Sequence, residues 1–272
     1  MTAGAAVRQR MLPLARRSWP PASLFMVERS VLVYRRVWPV LISGFFEPLF
    51  YLLSIGLGLG ALVGTVVGPG GAPIGYVEFV APALLASASM NGAIFDSTFN
   101  VFFKLKYEKV YDSVLATPMT VGNIALGEIT WALLRGAFYA AMFLAVMAAM
   151  GLIHSMWAVL ALPGAVLIGF AFAATGMGAT CYMRTWQDFD FVTMALVPMF
   201  LFSGTFYPLA IYPRAIQLVI ECTPLYQGVA LLRGLTLGAV EHSLLGHAAY
   251  LALMGLAGCT VTARRLARLL LR

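Results

Sequence analysis

The sequence predicts an all-α integral membrane protein, and three observations lead to that prediction. Hydrophobic residues make up 61% of the 272 residues and charged residues only 11%, whereas a soluble domain is about half apolar and about a quarter charged. Six apolar runs are long enough to cross the roughly 30 Å hydrocarbon core of a bilayer as helices. The polar stretches between them are too short to hold a separate soluble core, so one membrane domain is expected.

The polar composition excludes several other classes of protein. Most basic residues behind the net charge of +7 flank apolar runs, and basic tracts with interleaved aromatics are missing, so a nucleic-acid partner is not expected. The three cysteines form no Cys-x-x-Cys pair and the three histidines offer no matching ligand spacing, which disfavours a metal site or a disulfide framework. The chain lacks a Gly-x-x-x-x-Gly-Lys-Ser/Thr phosphate loop, so we expect it to bind no cofactor directly.

The N-terminal region predicts a basic cytoplasmic tail and then an interfacial amphipathic helix. The tail, residues 1–22, is interrupted by prolines and lacks the apolar core of a secretory signal. In residues 23–38 apolar side chains recur every three or four positions, which favours a helix lying on the membrane with its arginines toward anionic lipid heads. A short soluble amphipathic helix is the alternative. The apolar positions are Leu24, Val27, Val31, Tyr34 and Trp38, and the arginines are Arg29, Arg35 and Arg36.

Residues 39–272 predict a six-span transmembrane domain. Crossings are expected near 40–62, 79–103, 127–151, 157–182, 189–207 and 244–263. Fifteen lysines and arginines fall on one side of these crossings, against Arg214 and Arg233 on the other and Arg135 within a span. The positive-inside rule therefore predicts a multi-pass protein with both termini in the cytoplasm.

The segment before the last span predicts a re-entrant helical hairpin. Prolines and charged residues divide its apolar residues, so an uninterrupted span does not fit. Two short helices near 213–222 and 225–236 can dip into the outer leaflet and return if protein or water satisfies the turn. A plain surface loop is the alternative. The residues that define the hairpin are Pro208, Pro213, Pro224 and Arg233.

Ionisable residues inside predicted spans are costly and are usually paired or turned toward the protein interior. Asp96 and Asn100 lie on a polar stripe of the second span, and Glu128 and Arg135 share a face of the third. We expect Arg135 to pair with Asp96 or with Glu128 as a packing pair, and a role in proton or ion coupling is the alternative. Glu47, before a proline, is expected to stabilise a kinked first span or to line the transport route.

Small residues in the fourth span predict a close helix contact. Gly169 and Ala173, and likewise Ala174 and Gly178, have small-x-x-x-small spacing. The spacing leaves open whether the contact is within the subunit or across a dimer.

The stretch between the second and third spans predicts a short amphipathic coupling helix. If it is helical, Lys104 and Glu108, and Lys109 and Asp112, have the spacing of helical ion pairs. Thr117-Pro118 ends the helix. A protruding amphipathic helix suits docking into another protein's groove, and a solvated connector is the alternative. The opposite, apolar face carries Tyr107, Val110, Tyr111, Val114 and Leu115.

Four stretches in the same order resemble ABC type-2 exporter permeases. The run Tyr107-Glu-Lys-Val-Tyr-Asp-Ser-Val-Leu-Ala-Thr-Pro118 resembles their coupling segment. The overall pattern is similar to the nodulation lipo-oligosaccharide and daunorubicin exporter branch, from about residue 24 to the C-terminus. The other stretches are Glu47-Pro-Leu-Phe-Tyr-Leu-Leu with Gly56-Leu-Gly-Leu-Gly60, Ser203-Gly-Thr-Phe-Tyr-Pro-Leu209, and Thr223-Pro-Leu-Tyr-Gln with Leu232-Arg-Gly234.

The resemblance implies a transport subunit that is not itself an enzyme. Such a subunit lies in the bacterial cytoplasmic membrane and has six spans and a re-entrant hairpin, and it pairs with a second copy or a related permease. Separate cytoplasmic ABC ATPase subunits use ATP and Mg and dock on the coupling segment and the N-terminal helix. The docking candidates carried over by resemblance are Tyr107, Lys109, Tyr111, Asp112 and Leu115.

The leading functional hypothesis is therefore a permease of an ATP-driven exporter that moves a glycolipid, a lipid-linked sugar or a hydrophobic drug outward. The alternative is a proton-coupled secondary transporter that uses Glu47, Asp96, Glu128 and Arg135. An intramembrane enzyme is disfavoured because no nucleophile with a base and no metal-ligand arrangement is found.

Overall fold

The computed structural model describes residues 23–36, 46, 49–69 and 71–270, and about 80% of the fold is helical. Short 3-10 turns at Met156–Leu160, Trp186–Asp188 and Leu209–Ile211 precede helices, and π-helical turns occupy Ile55–Leu59 and Asp96–Asn100. The α-helices are α1 (Ser23–Arg36), α2 (Gly60–Val63), α3 (Tyr76–Phe95), α4 (Val101–Lys106), α5 (Val110–Leu115), α6 (Val121–Ala149), α7 (Ala161–Thr180), α8 (Phe189–Leu201), α9 (Arg214–Glu221), α10 (Pro224–Leu237) and α11 (Ser243–Leu270).

Four helical segments in the described part of the chain are long and apolar enough to cross a membrane: Tyr76–Lys106, Val121–Ala149, Met156–Thr180 and Ser243–Leu270. They correspond to the second, third, fourth and sixth predicted spans. A fifth crossing results if the bent pair α9 and α10 is counted as one span. The all-α, multi-pass class is thus confirmed, while the count of six is not.

The region of the first predicted span, 40–62, is described only in part. Residues 49–54 are helical and continue through the π-helical turn into α2. The basic tail at 1–22, Trp38 and Glu47 lie outside the described residues. After α2 the chain forms a hairpin that the sequence did not predict, with β1 (Thr65–Val67) antiparallel to β2 (Pro73–Gly75). Gly64, at φ +72°, adopts a positive-φ conformation that glycine tolerates and that ends the helix before the hairpin.

The fifth predicted span, 189–207, is shorter than expected. Helix α8 has 13 residues and extends about 20 Å at about 1.5 Å per residue, which falls short of the hydrocarbon core. Gly204 adopts φ +70°, and the Ser203 hydroxyl donates to the carbonyl of Phe200 at 3.0 Å. These residues turn the chain away from the helix axis, so the apolar run continues beyond α8 as irregular backbone.

Helix α7 forms the centre of the bundle, and its small residues make the close contact within the subunit. Ala174 is fully buried against α11, where a Cβ added to Gly258 would lie 2.7 Å from the Ala174 carbonyl carbon. The Thr262 hydroxyl donates to the Ala174 carbonyl at 3.0 Å. On another side, Gly169 faces Leu133 of α6 at 3.5 Å from the position of an added Cβ. The alternative that the sequence left open is therefore decided in favour of contacts inside one chain.

Candidate coupling site

The candidate site is a polar cluster where α6 meets the C-terminal end of α3, the corner between α4 and α5, and α1. One ion pair of this cluster joins Nη2 of Arg135 to Oδ1 of Asp96 at 2.6 Å. The Asn100 amide donates to the same carboxylate oxygen at 2.7 Å. Both side chains of the ion pair are nearly buried, with 11% and 5% exposure, so the charge of Arg135 is neutralised where water is scarce. Of the two partners predicted for Arg135, Asp96 is the one with which it pairs in the structure.

The backbone carrying Asp96 forms a π-helical turn over Asp96–Asn100. A π turn interrupts the regular hydrogen bonding of an α-helix, and such turns are frequent at functional sites. Neighbouring hydroxyls bond to carbonyls here: Thr98 donates to the Ile94 carbonyl at 2.6 Å, and Thr180 of α7 donates to the Ser97 carbonyl at 3.1 Å. The turn is therefore anchored to α7 while it presents Asp96 to α6.

The second ion pair joins Lys104 to Glu128, with the ammonium 2.7 and 2.9 Å from the two carboxylate oxygens. The sequence predicted Glu108 as the partner of Lys104, and that prediction is wrong. The Tyr111 hydroxyl also donates to Glu128 at 3.2 Å. Desolvation, together with the nearby Glu128 carboxylate, raises the pKa of Tyr111 well above its ordinary value, so the phenol stays protonated and remains a donor.

The coupling segment is two helices with a corner between them rather than one helix. Helix α4 ends at Lys106 and α5 begins at Val110. Lys109 between them has φ +50°, and among the described residues it is the one non-glycine residue with positive φ. This conformation costs a residue with a side chain roughly 1–2 kcal/mol. The corner separates Lys104 from Glu108 and Lys109, which explains why a single helical face was the wrong prediction.

The predicted docking residues divide into exposed and buried members. Tyr107, Lys109 and Asp112 are exposed, and Leu115 is half-buried. Tyr111 is 1% exposed, so its side chain supports the segment from inside and offers no surface to a partner. Three of the five predicted docking residues are therefore exposed, and Tyr111 fixes the segment from inside.

Helix α1 packs on α6 with a face that differs from the predicted lipid-facing stripe. Met26, Val27 and Ser30 are buried. The Tyr34 hydroxyl accepts a hydrogen bond from Nη1 of Arg135 at 2.7 Å, and the guanidinium carbon lies 5.3 Å from the Tyr34 ring centroid. Helix α1 is thus tied to the same arginine that pairs with Asp96.

A glycine on α6 permits the close approach of α1. A Cβ added to Gly127 would lie 2.5 Å from the Cβ of Met26 and 3.0 Å from the carbonyl oxygen of Ser23, whereas one added to Gly136 would meet nothing within 4 Å. We therefore expect Gly127→Leu to separate α1 from α6. A cysteine at the buried Ser30, in a chain otherwise free of cysteine, measures the separation by its rate of maleimide labelling.

The labelling rate is expected to rise at least about tenfold in the Gly127→Leu background, equivalent to about 1.4 kcal/mol. Gly136→Leu, on the same helix, is the matched control and should leave the rate unchanged. Equal rates in the two backgrounds would contradict the close packing of α1 on α6.

The hairpin residues lie at the opposite end of the bundle. Helices α9 and α10 meet at 85°, with Pro213 just before α9 and Pro224 as the first residue of α10. Pro208 precedes the 3-10 turn Leu209–Ile211. Pro fits these positions because a helix start needs no hydrogen bond from its nitrogen.

Arg233 on α10 is 9% exposed and joins three segments of the chain. Its Nε donates to the carbonyl of Phe79 on α3 at 3.1 Å, and its Nη2 donates to the carbonyl of Gly204 at 2.8 Å. The guanidinium carbon lies 3.7 Å from the Phe79 ring centroid. Arg233 thereby holds the loop after α8 and the start of α3 against α10.

Sequence reasoning missed Lys104 and Tyr34 as members of the polar cluster. Lys104 was interpreted as a surface residue and Tyr34 as part of a membrane-facing stripe, because helical periodicity gives no information on partners 24 or 101 positions away. The signal available was the buried Glu128, which needed a cation from another segment. Within the described ranges, no three His, Cys, Asp or Glu residues lie close enough together to hold a metal ion.

Comparison with known proteins agrees with this architecture. The family model of the ABC-2 type transporter matches residues 22–237. Nodulation protein J of Rhizobium meliloti (strain 1021) is 30% identical over 213 residues, covering 78% of this chain and 79% of the relative. Nodulation protein J of Sinorhizobium fredii (strain NBRC 101917 / NGR234) is 34% identical, covering 69% and 70%. The inner membrane transport permease YadH of Escherichia coli (strain K12) is 24% identical, covering 66% and 69%.

The family match spans most of the chain and includes the ion-paired helices, the coupling segment and the bent helix pair. The resemblance inferred from the four sequence stretches is thereby confirmed. The chain belongs to the ABC-2 type transporter family and is a multi-pass membrane permease.

Proposed function

We propose that this permease is the membrane subunit of an ATP-driven exporter. A separate cytoplasmic ABC ATPase hydrolyses ATP with Mg, and a second copy of this chain or a related permease completes the paired transmembrane unit. The proposed cargo is an amphiphile, namely a glycolipid, a lipid-linked sugar or a hydrophobic drug, moved outward. Membership of the ABC-2 type family and the similarity to the nodulation proteins support this proposal.

The observation that carries the coupling mechanism is the shared contact of Tyr111 and Lys104 with Glu128. Exposed Tyr107, Lys109 and Asp112 form the proposed ATPase contact. Movement of that surface is passed through the buried Tyr111 to Glu128, and hence to α6. Since the Lys104 ammonium bonds both Glu128 oxygens, α4 and α6 are expected to move together.

The proposed orientation places the coupling segment and both termini in the cytoplasm, following the asymmetry of lysine and arginine. The hairpin of α9 and α10 then lies at the outer side. Gly228 near the start of α10 packs on Ile168, well inside α7, whereas the end of α10 accepts a hydrogen bond from the His154 backbone through Thr236 at 3.1 Å. The two ends of α10 thus lie at different depths along α7, which supports a re-entrant hairpin that reaches into the membrane and returns.

Proton coupling receives no support from the geometry of the acids. Asp96 is held by Arg135 and Glu128 by Lys104, so each carboxylate has a fixed positive partner. The fourth group of that alternative, Glu47, lies outside the described residues.

The proposal is tested in proteoliposomes that contain the permease with its co-purified ABC ATPase and a fluorescent lipid-linked oligosaccharide as probe. We expect transport that requires ATP and Mg and survives a protonophore. Lys109→Glu with Asp112→Lys should reduce ATPase association at least about tenfold, because exposed charge pairs across an interface set partner affinity and association rate. Arg184→Glu with Asp190→Lys is the matched control, because these two exposed residues lie on the same proposed side and their exchange also leaves the net charge unchanged.

Tyr111→Phe tests whether binding of the ATPase can be separated from the passage of its movement to α6. It removes one hydrogen bond to Glu128, and we expect ATPase association to persist while ATP-dependent transport falls. Transport driven by a proton gradient without the ATPase would overturn the proposed function. Full transport in both coupling variants would overturn the proposed route.

A further inference from the structure

A groove of about 490 Å³ lies at the end of the bundle that is remote from the coupling site. One wall is formed by Trp157, Leu160 and Leu167 around the start of α7, and another by Leu231 and Leu235 of α10. The first two turns of α11 close it, with Leu245 and Ala248. The volume falls in the range of about 300–1,000 Å³ that is usual for small-molecule sites.

The polarity of the groove changes along its length. Glu241 and His242 lie at the mouth, in the connection between α10 and α11, and both are exposed. The walls consist of aliphatic side chains, Trp157 and Pro163. Among the described residues Glu241 has no ion-pair partner, so the mouth carries an available negative charge. An amphiphile with a cationic head and an apolar tail matches this gradient.

The depth of the groove matches one leaflet of a bilayer. Trp157 and Leu167 are ten residues apart, which corresponds to about 15 Å along a helix. That depth is half of the roughly 30 Å hydrocarbon core. The groove opens beside two membrane-length segments, Met156–Thr180 and Ser243–Leu270, so a lipid chain can enter from the side with its head group at the surface.

We propose that the groove binds one acyl chain of an aminophospholipid, with the head-group ammonium on Glu241. The apolar walls take up the chain, and the carboxylate selects the ammonium over an anionic head group. This inference requires only that the chain spans a membrane, and it does not depend on ATP coupling or on the exported cargo. It assigns a lipid-binding role to the hairpin helix α10 and the start of α11.

The test uses the full chain in phosphatidylcholine vesicles that contain phosphatidylethanolamine with a diazirine on its palmitoyl chain. After illumination, mass spectrometry locates the labelled peptides. We expect label on Leu160, Leu167 or Leu245. Ala248→Trp fills the groove and should reduce this label at least about tenfold. The indole ring would occupy the space that several methylene groups of the acyl chain need.

Leu253→Trp is the matched control, since Leu253 lies on the same helix and is exposed but does not line the groove. It should leave the labelling unchanged.

Glu241→Gln tests the head group without disturbing the apolar walls. The wild-type protein should label about threefold more with phosphatidylethanolamine than with phosphatidylglycerol of the same chains, the size expected for a partly exposed ion pair, and the variant should show no preference.

Three results would overturn the inference. They are undiminished labelling in Ala248→Trp, equal labelling by the two head groups in the wild-type protein, and efficient disulfide dimers of a Leu245→Cys variant in a chain otherwise free of cysteine. The last result would show that a second copy of the chain covers the groove. Because Glu241→Gln changes an exposed side chain, the head-group comparison remains decisive even if Ala248→Trp fails to fold.

Discussion

Replacing Gly258 with leucine is expected to break the contact between α11 and α7 and to cause a large loss of stability. A Cβ at this position lies 2.7 Å from both the carbonyl carbon of Ala174 and the nitrogen of Thr175. These are backbone atoms, so no side-chain rotation can make room. We expect a loss of about 3 kcal/mol, the upper part of the usual range for overpacking.

The measurement is the thermal midpoint in detergent, followed by the yield of monodisperse protein. Gly246→Leu is the matched control, because Gly246 also lies on α11 and an added Cβ there meets nothing within 4 Å. Its stability should be unchanged or slightly higher, since leucine favours a helix more than glycine does. Equal destabilisation by the two substitutions would show that α11 does not make the described contact.

The second large effect is expected from the ion pair of Arg135 and Asp96. Asp96→Asn leaves Arg135 without a carboxylate, and Arg135→Met leaves Asp96 without a cation. Both groups are nearly buried, so each single substitution should cost about 3–5 kcal/mol, as removal of one partner from a buried pair does. The double variant leaves no unpaired charge and should be more stable than either single variant.

This prediction is checked by a double-mutant cycle on thermal or denaturant unfolding. The control cycle uses Arg214→Met and Glu221→Gln, an exposed pair 3.3 Å apart with 69% and 35% exposure. Its coupling should be about 0–1 kcal/mol. Coupling of that small size at Arg135 and Asp96 as well would refute the claim that charge holds α6 to the π-helical turn.

The parts of the fold that were predictable depend on hydrophobic length and on proline. Apolar runs of about 20 residues identified four spans because only a helix satisfies its backbone in lipid. Pro213 and Pro224 located the starts of α9 and α10 within a residue or two, because proline is favoured at the first turn of a helix and disfavoured in its interior. The length of α8 was overestimated because the hydropathy of the sequence gives no information on the turn at Gly204.

The candidate site was only partly predictable, because its partners are distant in the sequence. Asp96, Glu128 and Arg135 were found from the rule that charge in a span must be compensated. Their pairing depends on the helix packing, and the rule alone does not determine it. The periodicity of the coupling segment suggested one continuous helix. Periodicity gives no information on the left-handed backbone conformation of Lys109, which ends that helix. Tyr111 was grouped with the docking residues although its hydroxyl points inward to Glu128.

The two kinds of helix contact described above respond differently to displacement. At Gly258 the attraction comes from atoms in van der Waals contact, and a gap of about 1 Å already loses a quarter to a half of it. At Arg135 and Lys104 the attraction is Coulombic and falls only with the inverse of distance. A displacement of about 1 Å between α6 and the π-helical turn consequently leaves most of their attraction in place, whereas the same displacement between α7 and α11 loses much of theirs.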